Sequence, residues 1–450
     1  MRRGAFGKMR CMEPPATTAA GTPLRVLMVC YHFPPMSSTG SLRVARFARY
    51  LPPEIAVEVL TVANPPDETG NRALLNELAG RVTIHKAALP SRLTRRWVER
   101  LFTGVPLGSL MSKALRTLLT FTLWIPDWQV RWRRPALHLG GRLLGSGAYD
   151  VIFCSSPPHS VHLTGLELKR RFEVPLVVDF RDPWSANPDR RWPTFLHRLH
   201  ERELEAQVLA GADLVIANTP GNRERLLADF GSLPPEKVVV LPNGYDPARR
   251  EAMQLSTGGT GDGRRRVVYT GHLYDRGDSV IRALEALHRS DPDLQRRVVF
   301  RFVGTLDAGV AARAAELQAA GLVETLSFVS AERVPEEIAA ADALLYVVPP
   351  AGRHWIPSKL YDYFLAEKPI IGVLPRGDAW DWLERSGLGT LIEDTGAADV
   401  TRGLRACLMR LQRDELVARP DREFIAQFDA REQSRQLAVH LRAAAANRPA

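Results

Sequence analysis

The stretch that decides the fold is residues 24–51, LRVLMVCYHFPPMSSTGSLRVARFARYL. Its first seven residues are apolar except for Arg25, a pattern that is typical of a strand buried on both faces of a parallel sheet. A loop is predicted over 31–40. A helix is predicted over 41–51, because apolar residues recur there every three or four positions. A strand, a loop and a helix in this order predict the first unit of a doubly wound α/β domain.

Outward from this unit the alternation continues and then starts again. In the first half, strands are predicted at 55–62, 150–154, 174–180, 213–217 and 237–241. After a Gly- and Ser-rich stretch, further strands are predicted at 267–270, 298–304, 325–329, 343–347 and 369–374. The sequence therefore predicts two α/β domains with parallel sheets, over 24–244 and 266–421. A linker is predicted over 245–265 and a C-terminal helix over 422–450.

The composition excludes several classes of protein. Of 450 residues, 45% are hydrophobic and 24% are charged, which is ordinary globular usage and excludes wholesale disorder. Residues 1–23 are basic and lack the apolar core of a secretory signal, so they are predicted to be a disordered leader. No run reaches the roughly 20 apolar residues of a membrane-spanning helix. The four cysteines lie far apart, which argues against disulfides or a zinc site and favours a cytoplasmic protein.

The net charge of +10 predicts an anionic partner, namely a nucleic acid, a membrane surface or a phosphorylated substrate. An arginine-rich surface without a specific partner is the alternative. Most of the excess lies in an insert at 91–134, where nine basic and two acidic residues give +7 and four of the nine tryptophans occur. The insert is interpreted as an interfacial helix on anionic lipid or as a helical hairpin packed on its own domain. It lacks a nucleic-acid recognition motif, so no nucleic-acid partner is predicted.

Two common nucleotide-binding motifs are absent from the sequence. The first strand is not followed by G-x-G-x-x-G, and no Walker A sequence occurs, which disfavours hydride-transfer and P-loop enzymes. Asp291 and Asp293 stand in a turn between a helix and a strand, so they are interpreted as loop residues and no metal site is predicted.

The segment that is most informative about chemistry is 356–371, IPSKLYDYFLAEKPII. Pro357 suits the first turn of a helix. The three residues after it would present free N–H groups to an anion such as a diphosphate, and Lys359 adds a positive charge. One turn further on, the carboxylate of Asp362 can accept two hydrogen bonds from a ribose diol. The alternative is an ordinary helix with a charged surface.

This segment resembles the P-S-K-L-[YF]-E-Y-x-A-x-G-K-P-[IV]-I signature of the GT-B glycosyltransferases, in particular the family-four ("group 1") retaining enzymes. Four more stretches are similar to motifs of that family in the same order, namely FPPMSSTGSLRVARFARYL at 33–51, SSPPHSVHLTGLELKRRFEVPLVVDFRDPW at 155–184, VVVLPNGYD at 238–246 and YTGHLYDRG at 269–277. The resemblance covers about 24–441. It implies two Rossmann-like doubly wound domains that face a cleft, with the last helix returning to the first domain.

The family implies roles for the residues that match its motifs. Gly40 lies in the loop near the donor diphosphate, where the absence of a Cβ permits close approach. Arg276 matches the basic residue that neutralises the departing diphosphate and is predicted to be catalytic. Asp362 matches the acid that holds the ribose. The donor-binding positions implied by the resemblance are Gly40, Gly271, His272, His354, Pro357, Ser358, Lys359, Leu360 and Asp362.

Two histidines depart from the family pattern. His354 stands eight residues before Asp362, where the family has an acid that helps to hold the donor sugar. His272 stands where many relatives have arginine. Each histidine is interpreted either as a donor contact or as an ordinary loop residue.

The acceptor side is predicted at the carboxyl end of the strand that leads into DFRD, residues 179–182. Asp182 is predicted to orient the acceptor hydroxyl or to take its proton, with a helix N-cap as the alternative. Asp179 is a second acceptor-side candidate. Arg181 is predicted to bind an acceptor phosphate or to pair with these acids. His159 is predicted to contact the acceptor or to pack.

The resemblance implies a cytoplasmic glycosyltransferase that uses a UDP- or GDP-sugar, retains anomeric configuration and needs no metal or other cofactor. A helix N-terminus, Arg276 and Lys359 would supply the positive charge at the diphosphate. The acceptor is predicted to be a lipid-linked sugar or a growing polysaccharide, with peripheral contact to an anionic membrane. The alternative is a degenerate nucleotide-sugar-binding partner without catalytic activity.

Overall fold

The computed structural model describes residues 23–64, 72–89, 124–187, 190–254, 263–274, 277–327, 329 and 333–448. Several predictions fall outside these ranges. They concern the leader up to residue 22, the insert up to residue 123, the Gly-rich stretch at 255–262 and Arg276.

The first domain alternates strands and helices along the chain. Its strands are β1 (Leu24–Val29), β2 (Ile55–Val62), β3 (Thr83–Ala87), β4 (Val151–Ser156), β5 (Leu176–Phe180), β6 (Leu214–Ala217) and β7 (Val238–Val240). Its helices are α1 (Thr39–Tyr50), α2 (Arg72–Glu77), α3 (Arg133–Leu144), α4 (Ser160–Phe172), α5 (Phe195–Gly211) and α6 (Pro220–Asp229).

The second domain repeats the alternation after a short connecting helix, α7 (Arg250–Gln254). Its strands are β8 (Arg265–Thr270), β9 (Val298–Val303), β10 (Val323–Leu326), β11 (Ala343–Val347), β12 (Ile370–Leu374) and β13 (Gly389–Glu393). Its helices are α8 (Asp278–Ser290), α9 (Ala308–Ala319), α10 (Val334–Ala339), α11 (Lys359–Ala366), α12 (Asp378–Arg385) and α13 (Ala397–Gln412), and the chain ends with α14 (Arg422–Ala426) and α15 (Ala430–Ala446).

Both sheets are parallel, which confirms the predicted fold class of two doubly wound α/β domains. The strand orders are β3-β2-β1-β4-β5-β6-β7 and β10-β9-β8-β11-β12-β13. The central strands are fully buried, since helices cover both faces. In both sheets the strand order reverses beside the first strand of the domain, and ligands bind at the carboxyl edge of such a switch point.

The structure corrects the sequence prediction at several elements. The edge strands β3 and β13 were not predicted, because each carries exposed or half-buried residues instead of an apolar run. The strand predicted at 325–329 lies at Val323–Leu326. The predicted C-terminal helix is two helices, because the Asp429 side chain caps a new helix by accepting the N–H of Arg431.

The last helix packs against the first domain. Leu437 and Leu441 of α15 join the buried cluster that contains Val44 of α1. Just before α15 the chain meets the domain junction, where the Tyr245 N–H donates to the Phe428 carbonyl at 2.9 Å and the Ala430 N–H donates to the Tyr245 carbonyl at 3.0 Å. Within the described ranges, no helix is long and apolar enough to cross a membrane.

Candidate functional site

A buried ion pair organises the carboxyl edge of the first sheet. Arg43 of α1 donates from Nε and Nη2 to the two carboxylate oxygens of Asp179 on β5, at 2.9 and 2.8 Å. The same guanidinium donates to the carbonyl oxygens of Leu241 and Pro242 at 2.9 and 2.7 Å. Since both side chains are almost completely buried, Arg43 fixes α1, β5 and the chain after β7 relative to one another.

Asp179 is held inside the domain, so it is not available as the acceptor-side residue that the sequence predicts. It is fully buried, and its Oδ2 also accepts the hydroxyl of Ser155 at 2.6 Å. Both carboxylate oxygens are thus used by protein donors. The reason is tertiary, because Arg43 lies far away in the sequence and reaches Asp179 only in the folded domain.

Arg181, Asp182, His32 and Gly40 lie together at the same edge. Arg181 Nη2 donates to Asp182 Oδ2 at 2.5 Å, so these two predicted residues pair with each other. A Cβ on Gly40 would lie 3.7 Å from His32 Cβ and 3.9 Å from Arg181 Nε. Burial and the charge of Arg181 lower the pKa of His32 to about 4, so His32 is neutral. In the described part of the chain, Arg181 Nε and His32 Nδ1 are buried without a hydrogen-bond partner.

Asp182 does not cap a helix, so that alternative is wrong. Residues 181–187 form a loop, and the next helix begins at Phe195. The Asp182 side chain is 38% exposed. A carboxylate in this position is accessible to an acceptor hydroxyl, with Arg181 to hold it.

His159 packs instead of contacting solvent, which decides between its two predicted roles. Its ring stacks on Trp184 with centroids 5.0 Å apart and lies next to His162, which in turn stacks on Phe180. His159 is buried, and burial lowers its pKa well below the usual value. It therefore supports the loop that carries Asp182 and does not reach an acceptor.

Two buried glutamates of α5 accept hydrogen bonds from the loop that carries Asp182. Glu201 accepts Trp184 Nε1 at 3.2 Å and pairs with Arg190 at 2.6 Å. Glu205 accepts the Ser185 N–H at 3.0 Å. Burial raises the pKa of Glu205 to about 7, because desolvation outweighs the hydrogen bonds from Ser185.

We expect Glu205 to make the protein more stable as the pH falls. A raised native pKa means that the folded state binds the proton more tightly, so this contribution is fully present below the unfolded pKa of 4.5 and is lost as pH rises through about 7. Glu205→Gln should remove up to about 3 kcal/mol of pH dependence between these values. Urea unfolding of both proteins across this range measures the difference.

The readout is the difference in the free energy of unfolding between wild type and Glu205→Gln. Both proteins contain the buried, neutral His32 and His162, whose lowered pKa values destabilise the folded state over a similar range as the pH falls. Glu203→Gln, an exposed change on the same helix, is the matched control. Parallel pH curves for wild type and Glu205→Gln would contradict the prediction.

The second domain places α11 at the carboxyl edge of its sheet. The hydroxyl of Tyr363 accepts the Thr270 N–H at 3.0 Å, which ties α11 to the end of β8. The helix begins at Lys359, and the Leu360 N–H already donates to the Pro357 carbonyl at 3.1 Å. Leu360 therefore does not present a free N–H group as predicted, and Ser358 and Lys359 stand ahead of this bond at the open end of the helix.

Lys359 is the cation at this helix start. Its Nζ lies 3.6 Å from the centroid of the Tyr269 ring and 3.5 Å from the position that a Cβ on Gly271 would occupy. Among the described residues it has no carboxylate partner, and burial lowers its pKa well below the usual value. A desolvated ammonium without a counter-ion creates a site for an anion.

His272 is held by groups of its own domain. Its Nδ1 lies 2.5 Å from Thr305 Oγ1 and its Nε2 lies 2.8 Å from Asp307 Oδ1. With both ring nitrogens engaged, His272 has no N–H free for a donor substrate. The preceding residue, Gly271, has φ of +95°, a conformation that favours glycine, and a Cβ on Gly304 would collide with the carbonyl oxygen of Gly271.

His354 lies where the two domains meet. Its Nδ1 is 3.4 Å from Asp378 Oδ2, and Asp378 accepts the Gly221 N–H at the start of α6 at 3.0 and 3.2 Å. The His354 ring also packs directly on Gly221. A carboxylate from the second domain thus occupies the positive end of a helix of the first domain.

Asp362 also lies at the junction. It pairs with Arg249 at 3.3 Å and lies close to Arg46 of α1. Arg46 in turn donates to the Gly244 carbonyl. The Asp362 side chain is 18% exposed, and its contact with Arg249 is long, so its oxygens remain accessible to another hydrogen-bond donor.

The sequence prediction missed several residues of the site. Arg43 occurs in the G-x-x-R part of the 33–51 motif, which was the available signal, whereas Asp378, Asp307 and Arg249 carry no local signal. Arg276 lies outside the described residues. Within the described ranges, no group of three or more His, Cys, Asp or Glu could hold a metal ion.

Comparison with known proteins finds a family-model match over the first domain and a similar fold over most of the chain. Residues 38–244 match the glycosyl transferase 4-like domain family. No curated protein sequence matches the chain. HepE from Anabaena, solved in complex with UDP, superposes with a TM-score of 0.62 at 16% identity, covering 93% of this chain and 100% of HepE. Sucrose-phosphate synthase from Thermosynechococcus elongatus superposes with a TM-score of 0.61 at 14% identity, covering 93% and 98%.

Proposed function

We propose that this chain, whose residues 38–244 match the glycosyl transferase 4-like domain family, is a GT-B glycosyltransferase that transfers a sugar from a nucleotide-sugar donor to a lipid-linked or polysaccharide acceptor. The observation that carries the proposal is Lys359, an ammonium without a carboxylate partner among the described residues, at the open start of α11. A diphosphate bound there would supply the missing counter-ion, and the helix terminus would add its partial positive charge.

The donor is assigned mainly to the second domain. Ser358 and Lys359 hold the diphosphate beside Gly271, and Asp362 accepts hydrogen bonds from the ribose. Arg276, by its family resemblance, neutralises the departing diphosphate. HepE was solved with UDP, so uridine diphosphate sugars are the first donors to test. His272 contacts Asp307 and His354 contacts Asp378, so neither histidine is assigned a direct contact with the donor.

The acceptor is assigned to the first domain, beside Asp182 and Arg181. Arg181 Nε and His32 Nδ1, which have no hydrogen-bond partner among the described residues, are polar groups that a bound sugar or phosphate would satisfy. Asp182 orients the acceptor hydroxyl or takes its proton. We further propose transfer with retention of configuration, charge stabilisation by Lys359 and Arg276 without a metal, and a cytoplasmic location at the inner face of the membrane.

Donor turnover tests the function directly. Purified protein is incubated with a panel of UDP- and GDP-sugars, and nucleotide release is measured with and without a chelator. We expect at least one donor to be hydrolysed, with water taking the sugar and the nucleotide leaving, at a rate that the chelator does not change. NMR recorded before mutarotation should show the released sugar in the anomeric configuration of the donor. Thermal shifts without turnover of any donor would instead support the degenerate binding partner, which the internal engagement of His272 favours.

Asp362→Asn tests the ribose assignment. Because hydrogen bonds to a charged acceptor are worth about 1.5–3 kcal/mol, we expect the donor KM to rise roughly 10- to 100-fold with little change in kcat. Initial rates over a donor concentration series measure both constants. Asp399→Asn, at an exposed acid of the same domain, is the control and should leave KM unchanged. An unaltered KM in Asp362→Asn would remove Asp362 from the donor site.

A further inference from the structure

The first half of helix α5 differs from an ordinary surface helix, whereas its second half buries Val208 and Leu209 in the usual way. The inward face of the helix buries Glu201 and Glu205, each about 1% exposed, whereas its first turns expose Phe195, Leu196 and Leu199 at 69%, 73% and 45%. Large apolar side chains clustered on a surface mark an interaction site more often than scattered ones do. The large apolar residues that the helix exposes are confined to this end, and its exposed positions further along include Glu203, Gln207 and Ala210.

The exposed charges at the start of this apolar group are positive, and an exposed acid, Glu203, follows one turn after Leu199. Arg191 and Arg198 flank the apolar group and are both exposed, and residues 190–200 contain three arginines and no acid. Arg198 also lies over the ring of Trp192 at 5.6 Å. We call Arg191, Phe195, Leu196, Arg198 and Leu199 the α5 tip.

The α5 tip lies beside the acceptor side of the site. Helix α5 begins at the carboxyl edge of the first sheet, and its buried glutamates hold Trp184 and Ser185 of the loop that carries Asp182. At the same end of α5, Arg190 donates to the Pro126 carbonyl, next to an aromatic pair, Trp124 and Trp128, with ring centroids 4.9 Å apart.

From this placement we infer that the α5 tip docks on an anionic lipid bilayer, with its apolar side chains among the acyl chains and its arginines at the lipid phosphates. Apolar and aromatic side chains with two exposed arginines beside them match the chemistry of such a surface. The exposed acid of this helix, Glu203, lies one turn beyond Leu199, on the side away from the tip. Docking here would bring a lipid-linked acceptor to Asp182. This inference rests on the proposed function only for that last step, since the surface itself is independent of catalysis.

Vesicle binding of the full chain tests the inference. The protein is sedimented with vesicles of phosphatidylcholine alone and of phosphatidylcholine with phosphatidylglycerol. We expect the triple variant Phe195→Ser, Leu196→Ser, Leu199→Ser to bind the mixed vesicles at least about tenfold more weakly than wild type. The pair Arg191→Ser, Arg198→Ser should weaken binding to the mixed vesicles only, and wild-type binding should fall as salt rises.

The control is Met409→Ser with Val417→Ser, which removes exposed apolar side chains of the second domain and should bind like wild type. Equal vesicle binding by wild type and the triple variant would overturn the inference. So would wild-type self-association in size-exclusion chromatography that the triple variant abolishes without loss of vesicle binding. Turnover of soluble donor, measured in parallel, separates the two proposals, because loss of docking leaves it intact and failure of the proposed function leaves docking intact.

Discussion

Replacing Arg43 with methionine is expected to lower the free energy of unfolding by about 3–5 kcal/mol, as is usual when one partner of a buried ion pair is removed. The carboxylate of Asp179 would stay buried with only the hydroxyl of Ser155 as a partner. The carbonyl oxygens of Leu241 and Pro242 would also lose their donor. Urea unfolding followed by tryptophan fluorescence measures the loss.

The control is Arg49→Met, the same change on the same helix. The partners of Arg49 are Glu77 and Asp246, in contacts that are partly open to solvent, so its loss should cost less than about 1 kcal/mol. Adding Asp179→Asn to Arg43→Met should restore part of the stability, because the unpaired buried charge is then gone. A similar loss for Arg43→Met and Arg49→Met would show that the buried pair does not organise this edge.

Replacing Lys359 with methionine is expected to lower the rate of sugar transfer about 10²- to 10³-fold, the range seen when one preorganised group that stabilises transition-state charge is removed. Negative charge grows on the diphosphate as it leaves, and Lys359 has no carboxylate among the described residues to compete for it. The folded protein should lose little stability, since burial disfavours the charged form of Lys359 and offsets its contact with the Tyr269 ring. Initial rates of nucleotide release and thermal unfolding measure the two effects.

The pH dependence of donor affinity offers a second test of Lys359. Burial lowers its pKa in the free enzyme, so alkaline pH removes the charge that a diphosphate needs, and wild-type affinity should fall as pH rises. Lys359→Arg keeps the charge at high pH and should flatten this decline. Lys86→Met, at an exposed lysine of β3, is the matched control. Full transfer activity in Lys359→Met would remove the cation from the mechanism.

The sequence alone supports the fold because burial is a local property of these strands. Runs such as LRVLMV and IIGVL are covered on both faces, and their repetition in two halves predicts two parallel sheets. The edge strands TIHKA and GTLIE were missed because one side of an edge strand faces solvent, where an apolar run is not required. The position of Lys359 at a helix start was likewise readable, because Pro357 and the apolar spacing after it are local signals.

The roles of the acidic residues could not be predicted from their neighbours in the sequence. Asp179 and Asp182 look alike in the sequence DFRD, yet one is fully buried against Arg43 and the other is partly exposed beside Arg181. His354 stands at a position of the family motif, but the motif does not indicate its partner. That partner is Asp378 at the start of α12, which also accepts the N–H of Gly221 in the other domain. Each of these contacts joins residues that lie far apart in the chain.

What the sequence determined by itself is therefore the architecture and the cation at the start of α11, because hydrophobic periodicity and helix-start chemistry act over a few residues. Only the tertiary structure decided which polar residues are structural and which face the site. The physical reason is that strand order brings distant loops to one edge, where a carboxylate that meets a buried guanidinium is neutralised and one that does not stays available. Helix α5 is another case that only the tertiary structure decides. It buries two glutamates and exposes a phenylalanine, the opposite of what the hydrophobicity of these residues predicts.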